Sequence, residues 1–130
     1  MKGLLVDDDE LYARTLQRSL ARKGIETEIA LDAASALARA REYLPDFALV
    51  DLKLGSDSGL TRIEPLRALR ADMQILLVTG YASVATAVEA IKRGADDYLP
   101  KPATLESILR ALELAPAQSP SEDNPTPETM

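Results

Sequence analysis

The chain has 130 residues, 46% of them apolar and only 4% aromatic, which fits one domain whose core is built mainly from Leu, Val, Ile and Ala. It contains no cysteine and no histidine, which excludes disulfides, thiolate metal sites and imidazole chemistry within this chain. Half of the net charge of −6 comes from Glu122, Asp123 and Glu128 near the end, and neither that segment nor the rest has the basic balance of a nucleic-acid surface, so direct nucleic-acid binding by this segment is not expected.

Short apolar runs alternate with stretches of helical period, the pattern of βα units around a parallel sheet, and five such units are predicted. The first strand, 3–6, leads into Asp7 and Asp8. Tyr12, Leu16 and Leu20 then repeat every four residues on a helix that Gly24 should end in a left-handed conformation. A strand over 26–30 is followed by Asp32 as N-cap, by a helix with Ala33, Leu37, Ala40 and Leu44 on its inner face, and by Pro45 as its stop. The third strand, 47–51, ends on Asp51. Inside a helix Pro65 would cost about 3 kcal/mol, so the third helix is expected to break near Glu64 or to begin close to Pro65. The strand 74–79 ends on Thr79, and the next helix lays Val84, Val88 and Ile91 on the sheet before Gly94. The last strand, 96–99, delivers Lys101, and Thr104 caps the final helix. From Pro116 onward Pro, Ser, Glu and Thr dominate, which divides the chain into a domain over 1–115 and a disordered linker or tail over 116–130. No apolar run reaches the roughly 18 residues of a membrane span and no signal peptide is visible, so a cytoplasmic protein without membrane contact is expected.

Asp7, Asp8, Asp51, Thr79 and Lys101 each follow a short apolar run, so all belong to the carboxyl edge of the sheet, where open α/β folds bind ligands. Three crowded carboxylates repel unless a cation neutralises them, and oxygen-only ligands favour magnesium, with manganese as substitute. An ionised Asp51 needs no general base to attack a phosphoryl group, while Lys101 and Thr79 can hold its oxygens. Singly, a DDD run is more often a solvated acidic turn, and a lone Thr or Lys a cap or a surface residue. Jointly, their recurrence at successive strand ends favours the site.

The segments LLVDDDE, FALVDLKL, ILLVTGYAS and DYLPKP, in this order over about residues 3–113, resemble the receiver domain of bacterial two-component response regulators. The resemblance implies a flavodoxin-like (βα)5 doubly wound sandwich with strand order 2-1-3-4-5. It implies Asp51 as phosphoacceptor from a sensor histidine kinase, and Mg2+ on Asp7, Asp8, Asp51 and the backbone carbonyl of Lys53. Thr79 and Lys101 are assigned to the phosphate, Thr79 and Tyr98 to the switch, and Lys101–Pro102 to a cis peptide bond. Such a protein is a signalling switch and not an enzyme; it catalyses only its own phosphorylation and dephosphorylation. Lys53 and Tyr81 border the path of hydrolytic water, which predicts a long-lived acyl phosphate.

More narrowly, DLKLGSDSGL and VTGYASVATAVEAIKRGADDYLPKPA resemble redox-responding regulators of the RegA/PrrA/RoxR type. That implies a Pro-rich linker to a helix-turn-helix DNA-binding output domain absent from this chain. Ser107 and Ala111 stand where receivers of the OmpR/PhoB type carry charged dimer contacts, so a phosphorylation-dependent homodimer would rest on apolar residues such as Val84, Val88 and Leu105. Two rivals fare worse. Haloacid-dehalogenase phosphatases need a DxD motif where this chain has Asp51-Leu52-Lys53, and the first loop of a flavodoxin-like FMN carrier would not repel phosphate as DDDE does.

Overall fold

The computed structural model describes residues 1–51, 53–54, 57–58, 60–80, 83–101 and 103–112; at 33, 53, 54, 57, 58, 61 and 62 the backbone alone is described. The elements are β1 (Lys2–Val6), α1 (Glu10–Ala21), β2 (Glu26–Ala30), α2 (Ala33–Tyr43), β3 (Phe47–Val50), β4 (Lys53–Leu54), β5 (Asp57–Ser58), α3 (Leu60–Leu69), β6 (Gln74–Thr79), α4 (Val84–Lys92), β7 (Asp97–Pro100) and α5 (Leu105–Ala111). The main sheet runs β2-β1-β3-β6-β7 with every pairing parallel, which is the predicted 2-1-3-4-5 order of five strands. A two-residue antiparallel pair, β4 with β5, lies outside that sheet and was not expected from the sequence.

Each central strand serves two cores. Leu4, Val6, Ala48, Val50, Ile75 and Leu77 face the helices α2, α3 and α4, whereas Leu5, Phe47, Leu49, Leu76 and Val78 face α1 and α5. Alternation by two residues, with both faces covered, is why these strands read as continuous apolar runs. Between β1 and β3 the packing is tight enough that a Cβ on Gly3 would run into the Phe47 ring.

The predicted punctuation holds at most helix ends. Asp32 accepts from the Ser35 amide at 2.8 Å and Thr104 from the Ser107 amide at 3.0 Å, while Gly24 and Gly94 adopt φ of +78° and +114°. Three expectations are corrected. Leu44 is not on the core face of α2; it is the left-handed C-cap ahead of Pro45 and is exposed, and Ala36 packs inward beside the predicted Ala40. On α4, Val84, Val88 and Ile91 point outward, and the buried residue is Ala90. Pro65 neither breaks nor begins α3, which runs through it from Leu60 to Leu69. Fully burying Ile63 and Leu66 on either side of that proline contributes about 1.5–3 kcal/mol each, enough to offset its cost of about 3. Among the described residues, no helix is long and apolar enough to cross a membrane.

Candidate functional site

The ladder of the sheet continues one residue past each strand and fixes the backbone of the site. The Asp7 amide donates to the Ala30 carbonyl at 3.0 Å, the Asp51 amide to the Val6 carbonyl at 2.8 Å, and the Lys101 amide to the Thr79 carbonyl at 2.8 Å. Among the described residues, the buried polar and charged ones are Asp7, Asp51 and Thr79, and all three stand at this edge. Burial of unpaired charge is expensive, so such a concentration marks a place where something compensates.

Lys101 supplies part of that compensation. Its Nζ lies 2.7 Å from Asp7 Oδ2 and 3.1 Å from Asp51 Oδ2. Asp8 is exposed, yet one carboxylate oxygen from each of Asp7, Asp8 and Asp51 lies within 4.8 Å of the others, so a single cation can reach all three. One ammonium against three carboxylates leaves two negative charges, which suits a divalent ion. Burial pushes the Asp7 carboxyl above its ordinary range and Asp51 adds to the push, against the hydrogen bonds from Lys101 and the Asp9 amide. For Lys101 burial acts downward, but the hydrogen bonds and charges of Asp7 and then Asp51 outweigh it and hold the ammonium firmly protonated.

Sequence reasoning left two neighbours out. Asp9 donates its amide to Asp7 Oδ1 at 2.9 Å and accepts from the Tyr12 amide at 3.1 Å, capping α1. Tyr12, read as one residue of an inner helical face, also places its ring centroid 4.5 Å from the Lys101 ammonium. The only signal for either was position within one turn of the DDD run.

The remaining predicted residues fall as follows. Thr79 is fully buried at the end of β6. Tyr98 is half-buried on β7; its hydroxyl accepts from the Ser83 amide at 3.2 Å and lies 3.4 Å from Thr86 Oγ1, at the start of α4. The backbone of Lys53 belongs to β4. A Cβ on Gly80 would meet no described atom within 4 Å. Tyr81, Pro102 and the tail over 116–130 lie outside the described residues.

Residues 4–113 match the family described as the response regulator receiver domain. The chain is 44% identical over 115 residues to the acid tolerance regulatory protein ActR of Sinorhizobium medicae, covering 88% of this chain and 59% of that protein. To the photosynthetic apparatus regulatory protein RegA of Cereibacter sphaeroides it is 43% identical over 124 residues, covering 94% and 67%. Among solved structures, a response regulator from Burkholderia pseudomallei with a phosphorylated aspartic acid, calcium ion and citrate matches with a TM-score of 0.84 at 51% identity, over 85% of this chain and 65% of that one. A CheY-like receiver domain protein from Methanospirillum hungatei gives 0.82 at 34% identity, over 86% and 90%. This chain therefore spans about three-fifths of the length of ActR. Fold and acidic edge together define a CheY-like α/β domain. Within that class the chain belongs to the response regulator receiver domain family and is the receiver domain of a two-component response regulator.

Proposed function

We propose that Asp51 is the phosphoacceptor and that a sensor histidine kinase is the donor. The observation that carries this reading is the double ion pair of Lys101 with Asp7 and Asp51 at the carboxyl edge of the sheet. Transfer forms a bond between an Asp51 carboxylate oxygen and phosphorus while the bond from phosphorus to the donor imidazole nitrogen breaks. The attacker is already ionised, so positioning and charge stabilisation suffice. Lys101 turns from the carboxylates to one phosphoryl oxygen, and the Thr79 hydroxyl donates to another.

The donor set fits magnesium, or manganese in its place, on Asp7, Asp8 and Asp51, with the Lys53 carbonyl as a further ligand; all are oxygens, and the three carboxylates are close enough to share one ion. When bound, the ion neutralises the oxygens of the transferring group. The calcium ion and phosphorylated aspartic acid of the Burkholderia regulator support both assignments.

A phosphoryl group on Asp51 adds roughly one negative charge to the pocket. Thr79 moves toward it, Tyr98 turns inward and gives up its contact with Ser83, and the face of α4 and β7 repacks. The domain is a switch that catalyses only its own phosphorylation and dephosphorylation. In the full-length protein it acts in the cytoplasm and passes the change through the linker 116–130 to a DNA-binding output domain, without itself touching nucleic acid.

Treatment with acetyl phosphate and magnesium, followed by intact-mass measurement and peptide mapping, tests the assignment. One phosphoryl group is expected, on the peptide holding Asp51, and none on Asp51→Asn. Equal uptake by Asp51→Asn would sink it.

A further inference from the structure

We propose that Tyr12 is a positioning residue for Lys101, an inference that rests on Asp51 being the phosphoacceptor. A lysine carries three N–H donors on a flexible four-carbon stem. Two directions are taken by Asp7 Oδ2 and Asp51 Oδ2, at 2.7 Å and 3.1 Å. The Tyr12 ring, with its centroid 4.5 Å from the ammonium, takes a third by the attraction of a cation to an aromatic face.

Tyr12 is itself anchored to the acids it serves. Its amide donates to Asp9 Oδ1 at 3.1 Å, and the Asp9 amide donates to Asp7 Oδ1 at 2.9 Å. Asp7, Asp9, Tyr12 and Lys101 thus form a closed circuit that ties the first turn of α1 to the ammonium. A ring face is also a forgiving support. It attracts the cation without demanding a fixed hydrogen-bond direction, so Lys101 can move from the Asp51 carboxylate to a phosphoryl oxygen without losing its footing.

The ring, not the hydroxyl, does this. The Tyr12 hydroxyl is buried and has no hydrogen-bond partner among the described residues. Tyr12→Phe therefore keeps the support, and Tyr12→Leu removes it.

Two measurements on both variants decide the matter. The first is the ring-current upfield shift of the Lys101 ε-methylene protons by NMR, read without phosphoryl donor. The second is the rate of phosphoryl uptake from acetyl phosphate at saturating magnesium, with magnesium affinity measured alongside. Tyr12→Phe should match wild type in both, whereas Tyr12→Leu should lose the shift and slow uptake by about tenfold with magnesium affinity nearly unchanged. If Tyr12→Leu does not fold, Tyr12→Met replaces it as the ringless variant. A ringless variant with the wild-type rate, or a Phe variant as slow as the ringless one, overturns the role of Tyr12. Wild-type protein that takes up no phosphoryl group strikes instead at Asp51 as acceptor.

Discussion

At the level of single residues, the place where the acids and the lysine meet was readable because residue type and strand-end position are both visible in a sequence. Asp7, Asp8, Asp51 and Lys101 met where strand ends said they would. Residues whose importance depends on remote partners were not readable. Asp46 accepts from the Lys2 amide and from Arg70 Nη1, both at 2.8 Å, across more than twenty residues of chain in either direction. The bond from the Lys2 amide, followed by Arg70 and against the effect of burial, holds its carboxyl below the ordinary range. A depressed folded value means that this carboxylate stabilises the protein above the unfolded value of about 3.9 and stops doing so as pH falls through the folded one. Asp46→Asn should therefore lose about 1–2 kcal/mol at pH 7, with the deficit closing as pH falls through the depressed folded value. Urea unfolding across that pH range checks it, and a deficit independent of pH would contradict it.

Elements show a different limit. Apolar runs located the five strands of the main sheet and periodicity located α1, α2 and α4, yet it could not say which side of α4 faces the sheet, because Val84, Val88 and Ile91 and the small Ala90 are all apolar and size is not encoded in period. The β4–β5 pair was invisible because two-residue strands carry no pattern. Pro65 was misjudged because a local cost was weighed without the burial of Ile63 and Leu66 around it. Since α3 tolerates that proline through packing, Pro65→Ala should stabilise the domain by about 1–3 kcal/mol, seen as a higher urea midpoint with unchanged slope. No gain would mean that the proline fits its turn without strain.

Across the whole molecule, the cation site proposed at Asp7, Asp8 and Asp51 predicts that folding is sensitive to divalent ions. Magnesium at about one hundred times its Kd should stabilise the wild-type protein by about 2.7 kcal/mol in thermal or urea unfolding, and Asp8→Asn should show much less at the same concentration. Equal stabilisation of both would remove Asp8 from the ligand set. If phosphorylation drives a homodimer, the exposed Val84, Val88 and Ile91 of α4 offer it an apolar surface. Ser107, expected not to carry a charged contact, spends its amide and hydroxyl on the Thr104 cap. Sedimentation of phosphorylated protein should reveal dimer that Val88→Asp abolishes; an undiminished dimer would move the interface elsewhere.

The phenol that steadies the entrance to α4 is borrowed from the adjacent strand: Tyr98 reaches over to the Ser83 amide, while Ser83 and Thr86 complete the cap. Were Tyr98 to rotate as proposed for the switch, this end of α4 would keep its own Ser83–Thr86 cap but lose the support from β7. Whatever rests against α4 would then sense the rotation indirectly, as a slackening of the scaffold beneath it, with no need for the helix to travel as a rigid rod.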